Sequence, residues 1–308
     1  VRIDLHQHLW TRPLVAALSV REDLPFVRFE HGLTILHAAG ERPFVIGADT
    51  GDAGWLATRE GDDDLDLALL APSSPIGLEA LPREEAQALI DGYLEGALAI
   101  GEPFGVWGAL ALDGADPDDV DALLDHGCAG LSLPAGALGG LEAVAELAPI
   151  LERLESRGAP LFVHPGPGLG RWAQADVTLA DPLWWPALTG YVAQMNAAWL
   201  AFSAIGRRDH PGLTVIFAML AGLAPLHSER RRARGGPADE PDGRTYFDTS
   251  SYGPRAVAAM EAAVGGEQLV YGSDRPIADP LAGGLDAGRR QQLAANAGRL
   301  LAGTRVAP

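Results

Sequence analysis

The run Ile3-Asp4-Leu5-His6-Gln7-His8 constrains this chain more than any other stretch. Side chains alternate faces along a strand, so two histidines two residues apart present both imidazoles on one side. Alone, the pair is either half a metal site or a strand end with two solvated histidines. Two later apolar runs end in the same way. Leu161-Phe162-Val163-His164-Pro165-Gly166 and Gln268-Leu269-Val270-Tyr271-Gly272-Ser273-Asp274 each deliver one ligand-type residue before a turn. Three strands ending like this suggest one shared rim. Neutral imidazole and carboxylate suit zinc and its neighbours, which makes His6, His8, His164 and Asp274 a candidate mononuclear set with zinc favoured and manganese as the alternative.

From residue 66 onward the pattern alternates between apolar strand runs and helical periods, the signature of parallel βα units. Strand-like runs cover 66–71, 104–110, 129–133, 161–164, 213–218, 246–250 and 269–274, with helices expected over 82–100, 116–127, 141–157, 183–206 and 288–301. With the first strand this makes eight, the count of a single (β/α)8 TIM barrel over residues 1–308. The stretch 11–64 interrupts the rhythm and reads as an inserted hairpin subdomain that distorts the barrel. Within it Phe26–Glu30, a His31-Gly32 turn and Leu33–His37 form a β-hairpin, with 43–46 as a further strand. An insertion directly after the first strand lies over the end where barrels build their sites, so it is either a lid or a structural flap, and Trp10 becomes a candidate substrate contact.

The charge balance is 23 − 41 = −18, which excludes the basic footprint needed for nucleic acid or an anionic membrane surface. No apolar run reaches the roughly 18 residues of a membrane span. A single cysteine, Cys128, cannot pair within the chain, and a reducing, cytoplasmic setting is the expectation. A homodimer is left open. The chain has no lysine, so all 23 basic residues are arginine. That rules out a Schiff base and any two-metal centre bridged by a modified lysine.

Asp4-Leu5-His6-Gln7-His8, His164-Pro165-Gly166, Asp248-Thr249-Ser250 and Gly272-Ser273-Asp274, in this order, resemble the amidohydrolase superfamily, and within it the amidohydrolase-2 branch of aminocarboxymuconate-semialdehyde decarboxylase-like enzymes. The resemblance implies a TIM barrel holding one divalent metal on His6, His8, His164 and Asp274. It also implies a histidine at the end of the sixth strand, where this chain has Met219. A thioether takes no proton, so the usual general base is missing. Asp274, and His227 eight residues past Met219, are the candidates to replace it. Met219 itself becomes a substrate contact, and Arg230, in the run of arginines at 230, 231, 232 and 234, is a candidate grip for a carboxylate. The expected function is metal-dependent hydrolysis or decarboxylation of a small carboxylate, ester, lactone or amide. The alternative is a barrel that kept a metal or ligand and lost its chemistry.

Overall fold

The computed structural model describes residues 2–46, 65–170, 181–237, 242–278, 285–302 and 304. Eight parallel strands follow in order around one sheet: β1 (Ile3–His8), β5 (Leu67–Ala71), β6 (Phe104–Gly108), β7 (Gly130–Pro134), β8 (Leu161–His164), β9 (Val215–Phe217), β10 (Thr245–Asp248) and β11 (Leu269–Val270). The sheet closes on itself where the chain past β11 returns along β1. Leu5 N donates to Tyr271 O at 3.0 Å, Asp274 N to His6 O at 2.8 Å and His8 N to Arg275 O at 2.7 Å. This is the (β/α)8 barrel expected from the strand rhythm. Its strands are buried along their whole length in β1, β5, β7 and β8, as parallel strands covered on both faces must be.

Register then decides which residues meet inside. His8 lies opposite Ala71 and Pro134 opposite His164, so the histidine-bearing ends of β1 and β8 reach the same rim. Below them Trp107 and Phe162 stack at 5.3 Å and 17°, giving the site an apolar floor. Helices α2 (Arg83–Leu98), α3 (Pro117–Asp125), α4 (Leu141–Glu146), α5 (Ala148–Arg157), α9 (Pro254–Val264) and α10 (Ala287–Leu301) cover the outside. The helix expected over 141–157 is split near Pro149, into α4 and α5. Cys128 is buried, and burial pushes its thiol up to about 12, so it is inert packing.

The insertion after β1 contains the expected hairpin, β2 (Phe26–Glu30) with β3 (Leu33–His37), extended by β4 (Phe44–Ile46) into a three-stranded antiparallel sheet. It also contains a helix the strand pattern did not announce, α1 (Arg12–Ser19). Thr11 caps it, accepting from Leu14 N at 3.3 Å, and a proline sits in its first turn. This helix is packed on α2 through two glycines. A Cβ on Gly96 would fall on the Thr11 side chain, and one on Gly92 would lie 3.0 Å from Pro13 O. Residues 47–64 of the expected 11–64 insertion lie outside the described residues.

The single helix expected over 183–206 is broken into α6 (Trp185–Leu188) and α7 (Gly190–Ala201), followed by a wider π-type turn at Phe202–Gly206. The distinction matters because α7 crosses loops at the mouth of the barrel. Gln194 Oε1 accepts from Gly166 N at 2.9 Å, and Asn196 Nδ2 donates to Gly222 O at 2.9 Å.

Candidate metal centre

His6, His8, His164 and Asp274 come together at the barrel mouth, each offering one ligand atom within 4.8 Å of the others. The three imidazoles form a propeller: centroid distances are 4.9, 4.8 and 4.8 Å, and the rings stand at 87°, 88° and 81° to one another. Each ring has its Nδ1 against an oxygen acceptor. His6 Nδ1 faces Asp248 Oδ2 at 2.7 Å, His8 Nδ1 faces Ala71 O at 3.0 Å and His164 Nδ1 faces Pro165 O at 2.9 Å. Those partners hold a proton on Nδ1 and turn the Nε2 of each ring toward the shared point. The Nε2 atoms of His6 and His8 are 3.0 Å apart, and Asp274 Oδ1 lies 3.1 Å from His8 Nε2 and 3.5 Å from His6 Nε2. Three ring nitrogens and a carboxylate oxygen crowded this closely call for a shared cation, which in the metal-free protein is the proton on His6 and otherwise one divalent ion. The donor set therefore fits one divalent ion.

The electrostatics follow from burial and charge. Burial presses the His6 pKa down, yet the carboxylates of Asp248 and Asp274 outweigh it and bring the group to about 9. His164 is driven well below the ordinary range, first by burial and then by the neighbouring His6 and His8. Asp4, buried beneath, accepts from His6 N at 3.1 Å, Ser273 N at 3.0 Å and Gln7 Nε2 at 2.7 Å. It thus fastens β1 to the segment that carries Asp274.

Beyond β9 the backbone runs left-handed for five residues, with φ of 52°, 50°, 52°, 60° and 66° at Met219, Leu220, Ala221, Gly222 and Leu223. For each of the four that is not glycine this costs about 1–2 kcal/mol. The turn is held from both sides. Met219 N donates to Asp248 Oδ1 and to Ser250 Oγ, both at 3.2 Å, while Asn196 grips Gly222. Asp248 is thereby shared between His6 and the Met219 turn. Asp274, at φ 60°, takes a hydrogen bond on Oδ2 from Ser251 at 3.3 Å.

Of the remaining candidates, Trp10 is buried against Phe44 of β4 at 5.3 Å, with no described partner for its Nε1. Met219 is also buried. His227 and Arg230 lie on the exposed surface, Arg230 on the short helix α8 (Ser228–Ala233), and neither belongs to the four-residue cluster. Sequence reading missed Asp248 as the partner of His6, although Asp248-Thr249-Ser250 ends a strand like the other ligand runs. It also missed Tyr191, whose hydroxyl donates to Glu41 Oε1 at 2.7 Å. Nothing in the local pattern of a Trp- and Met-rich helix singles that residue out.

No family model matches the chain, and no curated protein sequence matches it. Solved structures match over nearly its whole length. The apo form of the IDCase of Metarhizium anisopliae superposes with a TM-score of 0.78 at 18% identity, covering 98% of this chain and 97% of that one. The 5-carboxyvanillate decarboxylase LigW of Sphingomonas paucimobilis gives 0.72 at 17% identity, with 98% of each chain covered. A dihydroxybenzoic acid decarboxylase of a Polaromonas species, solved with manganese and the inhibitor 2-nitroresorcinol, gives 0.66 at 14%, covering 98% and 96%. The fold is thus the barrel of these decarboxylases, and the histidine–aspartate cluster sits on its strand ends.

Proposed function

We propose that this chain is a metal-dependent enzyme of the amidohydrolase-2 type that decarboxylates a small organic acid. One observation carries the reading: three histidines with their Nδ1 protons already assigned, plus Asp274, converge on one point in a fold shared with decarboxylases of aromatic acids. When bound there, a divalent ion supplies Lewis-acid stabilisation to an oxygen of the substrate. Manganese is in the Polaromonas structure, and zinc suits the same donors.

The residues of the chain do the rest. Asp248 and the carbonyls of Ala71 and Pro165 orient the three rings. The Trp107–Phe162 floor and the buried walls exclude water, which strengthens every charge interaction inside. The insertion, with Phe44 against Trp10, walls the side next to β1. Met219 stands where a general base would act on water, and it cannot accept a proton. This supports decarboxylation over hydrolysis: when carbon dioxide leaves, the electron pair stays on the substrate carbon and is met by a proton, which Asp274 at the rim is placed to relay, and no water has to be deprotonated. Hydrolysis of an ester or lactone is the second reading, favoured only by Asp274, whose Ser251-bound carboxylate is positioned to take a proton. The retained partners of His6 speak against a barrel that has lost its chemistry.

The test is a panel of hydroxybenzoates, esters and lactones with protein loaded in turn with manganese and zinc. Carbon dioxide release from an aromatic acid, dependent on the metal and on His164, is the expected result. Turnover confined to esters or lactones would overturn decarboxylation, and failure to bind any divalent ion would overturn the whole reading.

A further inference from the structure

One polar pair at the mouth is not used by the metal centre. Tyr191, in the first turn of α7, donates its hydroxyl proton to Glu41 of the insertion. Gln194, three residues on and so on the same face of the helix, holds Gly166, two residues beyond the ligand His164. Arg42, next to Glu41, donates to Asp181 O at 2.8 Å, in the stretch leading into α6 and α7. Tyr191 therefore hangs between the loop after β8 and the insertion. Its hydroxyl is held well above the ordinary range by burial, by Glu41 and by the charge of Asp274, so the ring stays neutral and the proton stays in place.

A tyrosine hydroxyl has one proton to give and two lone pairs. With the proton committed to Glu41, and no described residue donating to the oxygen, the Tyr191 hydroxyl is left with lone pairs to offer a donor on a ligand. Trp10 is its opposite. An indole N–H can only give, and this one is buried without an acceptor among the described residues. A buried donor left unmet is costly, and a ligand oxygen would complete it.

We propose that Tyr191, with its proton direction set by Glu41, is a specificity-determining residue that accepts a hydrogen bond from a hydroxyl of the substrate, while Trp10 donates to one of its oxygens. The ligand is then an acid that bears a free hydroxyl, and an O-methylated counterpart is rejected. Glu41 is a positioning residue in this scheme, acting only through the phenol. The assignment rests on reading the mouth as a site for a small organic acid.

The experiment measures equilibrium binding by quenching of tryptophan fluorescence in manganese-loaded protein. Two matched pairs serve as probes: 2,6-dihydroxybenzoate against 2,6-dimethoxybenzoate, and 4-hydroxybenzoate against 4-methoxybenzoate. In at least one pair the wild type should bind the hydroxy member about tenfold or more tightly. Tyr191→Phe should bring that ratio to within about twofold with metal content unchanged. Glu41→Ala keeps the phenol but frees its proton to turn inward, and should lower the ratio too, which a role in packing alone would not do. Wild type without preference in either pair, or a preference that survives Tyr191→Phe, would overturn the proposal. Metal content separates the two readings. Protein that takes up no divalent ion refutes the proposed function, whereas metal-loaded protein whose ratio ignores Tyr191 refutes this assignment alone.

Discussion

Asp248 Oδ2 lies 2.7 Å from His6 Nδ1, with both side chains fully buried, and its other oxygen accepts from the backbone of Met219 and Ser250. One carboxylate therefore sets the tautomer of a candidate metal ligand and pins the strained turn after β9. Replacing it by an amide keeps the volume but removes the charge that holds the imidazole. Asp248→Asn should weaken metal binding about 10- to 100-fold while leaving all four ligands in place. Competition against a chromophoric chelator measures this, and unchanged affinity would mean that His6 is oriented by packing alone.

Metal binding should also release protons. In the metal-free protein His6 is raised from 6.5 to about 9, so its stabilising contribution is complete below 6.5 and disappears as pH rises through 9. A metal ion must displace that proton. Near neutral pH about one proton per ion should therefore be released from His6, and apparent affinity should rise about tenfold per pH unit until the group's own pKa is passed. His164, held neutral, adds nothing to this count. Calorimetry in buffers of different ionisation enthalpy gives the number directly, and an affinity flat between pH 7 and 9 would contradict it.

Much of this centre was legible in the sequence because ligand position in a parallel barrel is a matter of period and strand ending. His6 and His8 share a face by alternation, and His164 and Asp274 close apolar runs of the same kind. What was not legible depended on register and on contacts distant in the chain. Asp248 reaches His6 across 242 positions, and Glu41 meets Tyr191 across 150. The helix α1 is only eight residues long, and its signs in the sequence are the cap at Thr11 and the proline behind it, beside the stronger period 2 of the hairpin. His227 looked close to Met219 in sequence, yet the left-handed turn between them redirects the chain and leaves it on the surface.

Thr11 and Gly96 make the insertion part of the barrel's outer layer, since the threonine side chain occupies the space where a Cβ on residue 96 would stand. Gly96→Ala should overpack this contact and cost about 1–3 kcal/mol. Chemical denaturation of the two proteins reads the loss. An unchanged midpoint would show that α1 yields freely and that the insertion is only loosely attached.

Glu79 carries a different pH signature. Fully buried, with Oε1 accepting from Ser74 at 2.6 Å and Oε2 without a described partner, its carboxyl is pushed from 4.5 up to about 7 by burial, which the Ser74 bond only partly opposes. The folded state holds this proton more tightly than the unfolded chain, so the group's contribution is full below 4.5 and is lost as pH rises through 7. Above pH 7 the wild type carries a penalty of up to about 3 kcal/mol. Glu79→Gln should match the wild type near pH 5 and exceed it at pH 8. Denaturation curves at the two pH values test this, and a difference independent of pH would remove ionisation as the cause.

Met219 decides between the two chemistries. Its backbone already has the left-handed φ of 52°, a conformation histidine adopts more readily than most residues, and its N–H is held by Asp248 and Ser250 whatever the side chain. Met219→His should therefore fold, and its melting temperature, recorded beside the rates, shows whether the imidazole is accommodated. If decarboxylation is the native reaction, no water needs to lose a proton, and the release of carbon dioxide from the best aromatic acid should change by less than about tenfold. A base restored to a site built for hydrolysis should instead raise ester or lactone turnover at neutral pH by about 10² to 10⁴. A gain of that size, in stable and metal-loaded protein, would overturn decarboxylation in favour of a hydrolase whose base was lost. Flat hydrolysis beside retained decarboxylation would leave Met219 as the apolar wall of a decarboxylase, fitted to its substrate and not to a proton.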